Sequence, residues 1–266
     1  MANLNPFLPA AEASVVRMRG RVLAFTILVT SGVAWFALWR WGSSPTARYS
    51  HTHIHFAAQT QAGLLLAFVA GWTLMLVAMM LPTSLPLLAL FSRLTRERRD
   101  HWTLVGLVVA GYVAIWLLFG VAAYVATGQL VRIFRLEHWM HMQARWLAGG
   151  TVILAGSYQF TPLKYRCLEK CRSPFSFIAE HWTGHDEKKQ ALWLGAHHGL
   201  FCVGCCWGLM LLMFTIGAGS IGWMLVLGTV MAVEKNSPWG KRFARVLGFG
   251  LMLIGMGVSL GLWPTG

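Results

Sequence analysis

Charge is scarce in this chain, and acidic charge scarcer still. Only 12% of its 266 residues are Asp, Glu, Lys or Arg, and 9 acidic residues stand against 22 basic ones. That is about half the charged share of an ordinary soluble domain, which excludes a water-soluble globule. Carboxylates are almost missing from the apolar runs, which argues against a proton-coupled pump or secondary transporter of the usual kind. Paired repeats with half-broken helices are likewise not evident. No H-E-x-x-H, P-loop, G-x-G-x-x-G or G-x-S-x-G element stands in a usable context, and no C-x-x-C-H offers a covalent haem site. No catalytic motif is recognised, so whether the chain is an enzyme stays open. The five cysteines are an odd number in no disulfide-like framework, so a stapled secreted domain is excluded too.

What fills the chain instead is apolar. Hydrophobic residues make up 56% of it and the mean hydropathy is +0.57, as expected of an integral membrane protein. In that setting the basic excess points to anionic lipid at the cytoplasmic face rather than to nucleic acid. Seven apolar segments are long enough to be read as spans, about 22–41, 62–91, 102–127, 146–162, 193–216, 220–233 and 246–263. Pro82 and Pro86 are expected to bend the far end of the second. The connection 163–192 mixes Phe175, Phe177, Ile178 and Trp182 with charges, and also carries His181 and His185. It reads as an interfacial segment holding a short amphipathic helix. The expected fold is all-α, a single polytopic helical bundle over 1–266.

Charge placement orients that bundle. With the amino terminus inside, the inner segments collect all the basic residues except Arg40, Arg48, Arg132, Arg135 and Arg145. The positive-inside rule then favours a cytoplasmic amino terminus, a periplasmic carboxyl terminus and an odd number of spans. Seven is the expectation, or six if the short sixth segment is re-entrant. Glycine pairs four apart (Gly195 and Gly199, Gly204 and Gly208, Gly257 and Gly261) predict close helix contacts. Trp39, Trp41, Trp102, Trp193, Trp239 and Trp263 fall where interfacial belts form. A bacterial inner membrane is the expected location.

Chemistry concentrates in His197-His198-Gly199-Leu200-Phe201-Cys202-Val203-Gly204-Cys205-Cys206-Trp207-Gly208-Leu209-Met210. On a helix His198, Cys202, Cys205 or Cys206, Met210 and Met213 recur at steps of three or four, and so share a face. Imidazole, thiolate and thioether are ligands for soft or borderline metals: copper(I), zinc, or iron in a cluster. Cys167 and Cys171 lie one helical turn apart in the preceding connection and are expected on the same side of the membrane. Lys164, Arg166, Lys170 and Arg172 flank them and are expected to favour thiolate. Cys202 is expected about six to ten residues in from the cytoplasmic side, roughly 9–15 Å deep.

Three further groups each admit a functional and a bland reading. His51, His53 and His55 share a face only in an extended segment, whereas His138 and His141 would share a helical one. Together they offer imidazoles for copper(II), zinc or nickel outside the membrane, or simply belong to polar loops. Met75, Met79 and Met80 with Met210 and Met213 form either a thioether track or ordinary core filling. Glu234 reads as a functional acid or as half of an interfacial ion pair with Lys235.

Four stretches resemble one family. They are Ala78-Met79-Met80-Leu81-Pro82, Tyr158-Gln159-Phe160-Thr161-Pro162-Leu163-Lys164, Cys167-Leu168-Glu169-Lys170-Cys171-Arg172-Ser173-Pro174, and His198-Gly199-Leu200-Phe201-Cys202-Val203-Gly204-Cys205-Cys206-Trp207. The order of motifs, with Glu234-Lys235 after them, is similar to a bacterial domain-of-unknown-function family of predicted metal-binding integral membrane proteins. The resemblance runs from the second helix to the seventh and implies metal binding. The expected function is transition-metal handling, copper favoured with zinc or iron as alternatives, at Cys202, Cys205, Cys206, His198, Cys167 and Cys171, with Met79, Met210 and Glu234 in support. The alternative is an accessory subunit of a larger membrane complex, or an oligomer, whose cysteines are structural or hold a fixed metal.

Overall fold

The computed structural model describes residues 10–42, 61–134, 136–216 and 221–262, and within them the chain forms ten α-helices and no strand. The order is α1 (Ala10–Gly42), α2 (Gln61–Met75), α3 (Leu85–Leu94), α4 (His101–Phe134), α5 (Leu136–Tyr158), α6 (Pro162–Arg172), α7 (Pro174–His181), α8 (Glu187–Ile216), α9 (Ile221–Asn236) and α10 (Gly240–Ser259). Four stretches are long and apolar enough to cross a membrane: Val22–Trp41, His101–Ala126, Glu187–Met213 and Gly240–Ser259. Leu65–Met80 and Pro82–Leu94, bent by 41°, make a fifth if taken as one span. Most of segment 146–162 falls in α5 and the described part of 220–233 in α9, and neither helix is among these candidates.

The second segment is not the single helix expected over 62–91. After α2 the chain loosens into a π-turn at Leu76–Met80 and tightens into a 3₁₀ turn at Pro82–Ser84 before α3 begins. Proline explains the place of the break. Pro82 has no N–H to give the Ala78 carbonyl, so that acceptor is satisfied from outside, by Ser31 Oγ at 2.8 Å and Trp35 Nε1 at 3.1 Å on α1. The break also turns the Met80 carbonyl toward the core, where it accepts from Thr83 Oγ1 at 2.8 Å.

Other boundaries move for simpler reasons. α8 begins at Glu187, ahead of the apolar run, because Lys188, Lys189 and Gln190 are ordinary helix formers. Cys202 therefore stands about 22 Å along α8 at 1.5 Å per residue. α4 runs to Phe134 and α5 starts at Leu136, so helix occupies most of the loop expected around Arg132 and Glu137. The connection after α5 forms two short helices rather than one, each with proline in its first turn and the first capped by Thr161.

Glycine sets the closest crossings. A Cβ on Gly195 would fall inside the Val108 carbonyl of α4, and one on Gly199 would lie 3.0 Å from the Tyr112 carbonyl, so α4 and α8 meet backbone to backbone. α5 and α10 meet through Gly149, Gly156, Gly248 and Gly255. Gly257, expected to pack, has nothing within 4 Å of its would-be Cβ. Trp39, Trp41, Trp102, Trp193 and Trp239 are all exposed, and Trp263 lies outside the described residues. Phe25, Val33 and Phe36 on α1 and Val246, Phe249 and Leu253 on α10 turn their side chains outward.

The core at the centre is rich in sulfur. One buried cluster contains Met75, Met79, Met80, Met210, Met213, Met224 and Met231 together with Cys167, Cys202, Cys205 and Cys206.

Candidate metal centre

The middle of α8 supplies three thiols, and four neighbouring elements close around them. Cys202, Cys205 and Cys206 are all buried, as is His198 one turn earlier. Cys205 Sγ lies 3.4 Å from Cys206 Sγ and donates to the Cys202 carbonyl at 3.2 Å. From α6, Cys171 Sγ reaches to 4.0 Å from Cys205 Sγ. Cys167 sits against Gly204, where a Cβ would come within 2.6 Å of its sulfur. All five cysteines are free thiols, and Cys171 is only half-buried.

Two residues that sequence reasoning did not assign to the site, Lys235 and Tyr112, contact Cys202. Lys235 Nζ, from α9, donates to Cys202 Sγ at 2.9 Å and to Thr83 Oγ1 at 3.1 Å, and lies 4.0 Å from Met80 Sδ. The Tyr112 hydroxyl, from α4, is 3.0 Å from the same sulfur and 3.4 Å from the Met80 carbonyl. A buried ammonium is therefore held by one sulfur and one hydroxyl, with a thioether beside it. The Tyr112 ring also stacks on His198 at 5.7 Å, and His198 Nδ1 has no hydrogen-bond partner. The one sequence signal for Lys235 was its adjacency to Glu234 in the resemblance.

Glu234 does not pair with Lys235. Consecutive residues on a helix point about 100° apart, and Glu234 Oε2 instead accepts from Lys164 Nζ of α6 at 2.7 Å, with both side chains 1% exposed. Arg172 donates to the Glu234 carbonyl at 2.9 Å, and Lys170 to Glu180 at 2.7 Å. Three of the four cations expected to favour thiolate beside Cys167 and Cys171 are thus engaged elsewhere. Burial pushes the Cys167 thiol above its ordinary pKa, the reverse of the expectation.

Met79 and Met210 are buried in the same cluster. His51, His53 and His55 lie outside the described residues; His138 and His141 fall in the first two turns of α5, with side chains outside them. Among the described residues no three His, Cys, Asp or Glu side chains already converge as a coordination set. The sulfurs touch one another and Lys235 in pairs, so their chemistry suits a soft cation while their present arrangement requires side-chain rotation to hold one.

No curated protein and no solved structure matches the chain. A family model described as PpoB2, copper chaperone, matches residues 69–258, more than two thirds of the sequence. The matched span includes every thiol and Met79, Met80, Tyr112, His198, Glu234 and Lys235, and leaves out His51, His53 and His55. The chain belongs to the PpoB2 copper chaperone family.

Proposed function

We propose that this protein is an integral membrane protein that carries copper(I) as its cargo on the sulfur-rich core of the bundle, at Cys202, Cys205 and Cys206 with His198, Cys171 and Cys167. The observation that carries this reading is the meeting of three buried α8 thiols with an α6 thiol, in a chain whose family is described as a copper chaperone. Thiolate and thioether sulfur prefer copper(I) over harder ions. Met79 and Met210 offer further thioethers in the same cluster, and the Lys164–Glu234 pair fixes α6, and with it Cys167 and Cys171, against α9.

A carrier must both bind and release. An entering monovalent cation competes with the Lys235 ammonium for Cys202 Sγ, because two positive charges on one buried sulfur repel strongly at low dielectric. Neighbouring thiols within 4.0 Å of one another let the ion exchange one sulfur for the next without being left bare. Dry surroundings keep water from competing for it.

The membrane reading extends to seven spans, with the amino terminus cytoplasmic and the carboxyl terminus periplasmic, in a bacterial inner membrane with anionic lipid at the inner face. The exposed apolar faces of α1 and α10 and the exposed tryptophans support it. X-ray absorption of copper(I)-loaded full-length protein in detergent tests the site. Sulfur scatterers at about 2.3 Å are expected; a shell of nitrogen or oxygen alone overturns the thiol assignment and returns the cysteines to a structural role in a larger complex.

A further inference from the structure

Two histidines outside the thiol cluster are set up as ligands. The turn between α7 and α8 reverses the chain sharply, with Gly184 at φ +86° and Asp186 at φ +46°. Gln190 clamps it: its Oε1 accepts from Thr183 N at 3.0 Å and Gly184 N at 3.2 Å, and its Nε2 donates to Thr183 Oγ1 at 2.6 Å. The reversal lays α7 back along α8 and brings His181 to His197, with ring centroids 4.9 Å apart and planes at 48°.

Both rings are fixed in the same tautomer. His181 Nδ1 is 2.9 Å from the Phe177 carbonyl and His197 Nδ1 is 3.1 Å from the Trp193 carbonyl. A carbonyl only accepts, so each Nδ1 carries the hydrogen and each neutral ring keeps its lone pair on Nε2. A backbone bond of this kind on the far nitrogen is what orients metal-binding histidines. Phe177 stacks on His181 at 4.5 Å and Trp193 lies over His197 at 5.5 Å, which restrains both rings further. Two imidazoles bound at about 2.0 Å to a four-coordinate ion, with solvent in the other positions, hold their centroids roughly 5 Å apart, against the 4.9 Å found.

The pair also lies beside the core. His197 precedes His198 in α8, and Phe177, stacked on His181, meets His198 edge-on at 5.6 Å. His198 is buried, and its Nδ1 is unpartnered.

We propose that His181 and His197 form a second copper(I) site, which takes the ion at the protein surface through their Nε2 atoms and hands it past Phe177 to His198. The ion stays monovalent throughout, exchanging one imidazole nitrogen for another, so no electron or proton moves in the transfer. The copper identity rests on the proposed function, but the existence of the site does not.

Silver(I), a redox-inert analogue of copper(I), tests it by equilibrium dialysis on the full chain in detergent. In a Cys167→Ser/Cys171→Ser/Cys202→Ser/Cys205→Ser/Cys206→Ser variant about one silver per chain should remain, and adding His181→Gln/His197→Gln should weaken its binding at least tenfold. No silver on the thiol-free variant overturns the proposal, as does binding that survives both histidine changes. Wild-type protein gives an independent reading should that variant fail to fold. Diethyl pyrocarbonate modification of His181 and His197, read by mass spectrometry, should fall when a second equivalent of silver follows the one taken by the thiols. Modification undiminished at two equivalents refutes the site. Wild type that binds silver at the histidine pair but not at the thiols would sink the proposed function and leave this site standing.

Discussion

Lys164→Met removes one half of an ion pair whose two side chains are each 1% exposed and 2.7 Å apart. The carboxylate left behind loses its one salt-bridge partner among the described residues. Glu234 Oε1 already lacks a hydrogen-bond partner, and Arg172 reaches only the Glu234 backbone carbonyl. Breaking a buried pair from one side costs about 3–5 kcal/mol, because a charge stays buried and uncompensated. That is roughly a 150- to 5,000-fold fall in the ratio of folded to unfolded protein. Glu234→Met strands the lysine in the same way. The double variant Lys164→Met/Glu234→Met removes both desolvation penalties and should sit closer to wild type than either single change. Reversible unfolding of the detergent-solubilised full chain, run as a double-mutant cycle, should return a coupling of several kcal/mol. Because the pair ties α6 to α9, each single variant should also speed alkylation of Cys171. Two singles within about 1 kcal/mol of wild type, or a double worse than their sum, would refute the assignment of this pair as the α6 anchor.

Gly195→Ala should separate α4 from α8, since its Cβ would fall inside the Val108 carbonyl, and lower stability by about 1–3 kcal/mol; Gly257→Ala, with open space around it, should gain about 0.5–1 kcal/mol, both read by thermal shift. Tyr112→Phe removes the hydroxyl beside Cys202 but keeps the ring on His198. It should cost about 0.5–1.5 kcal/mol without changing metal stoichiometry, a result checked by unfolding and metal analysis together. Cys167 should resist maleimide at pH 7, with Cys171 modified first, because burial holds the Cys167 proton. The folded chain binds that proton more tightly than the unfolded one, so the stability it adds is full below the ordinary thiol pKa of about 8.5 and is lost as pH rises above it. Alkylation of Cys167 at pH 7 at the rate of a free thiol contradicts this.

Local chemistry made much of the molecule readable from the chain alone. Pro82 announced the break after α2, and the three- and four-residue steps from His198 to Met210 placed thiols, imidazole and thioether together in α8. What the chain concealed was long-range closure. Lys235 and Tyr112 reach Cys202 from segments 33 and 90 residues away in sequence, and no local period reports such a meeting. Glu234 and Lys235 looked like a pair because they are adjacent, yet adjacency on a helix sends them to different neighbours, Lys164 and Cys202. The cations around Cys167 misled for the same reason. A flanking position in sequence says nothing about which carboxylate or carbonyl a lysine or arginine will reach after folding.

Metal analysis of anaerobically purified full-length protein, wild type beside Cys202→Ser/Cys206→Ser, tests the copper assignment most directly. The predicted result is about one copper per chain more in wild type than in the variant. Copper retained undiminished in the variant, or wild type that takes up no copper when supplied with it, contradicts the account.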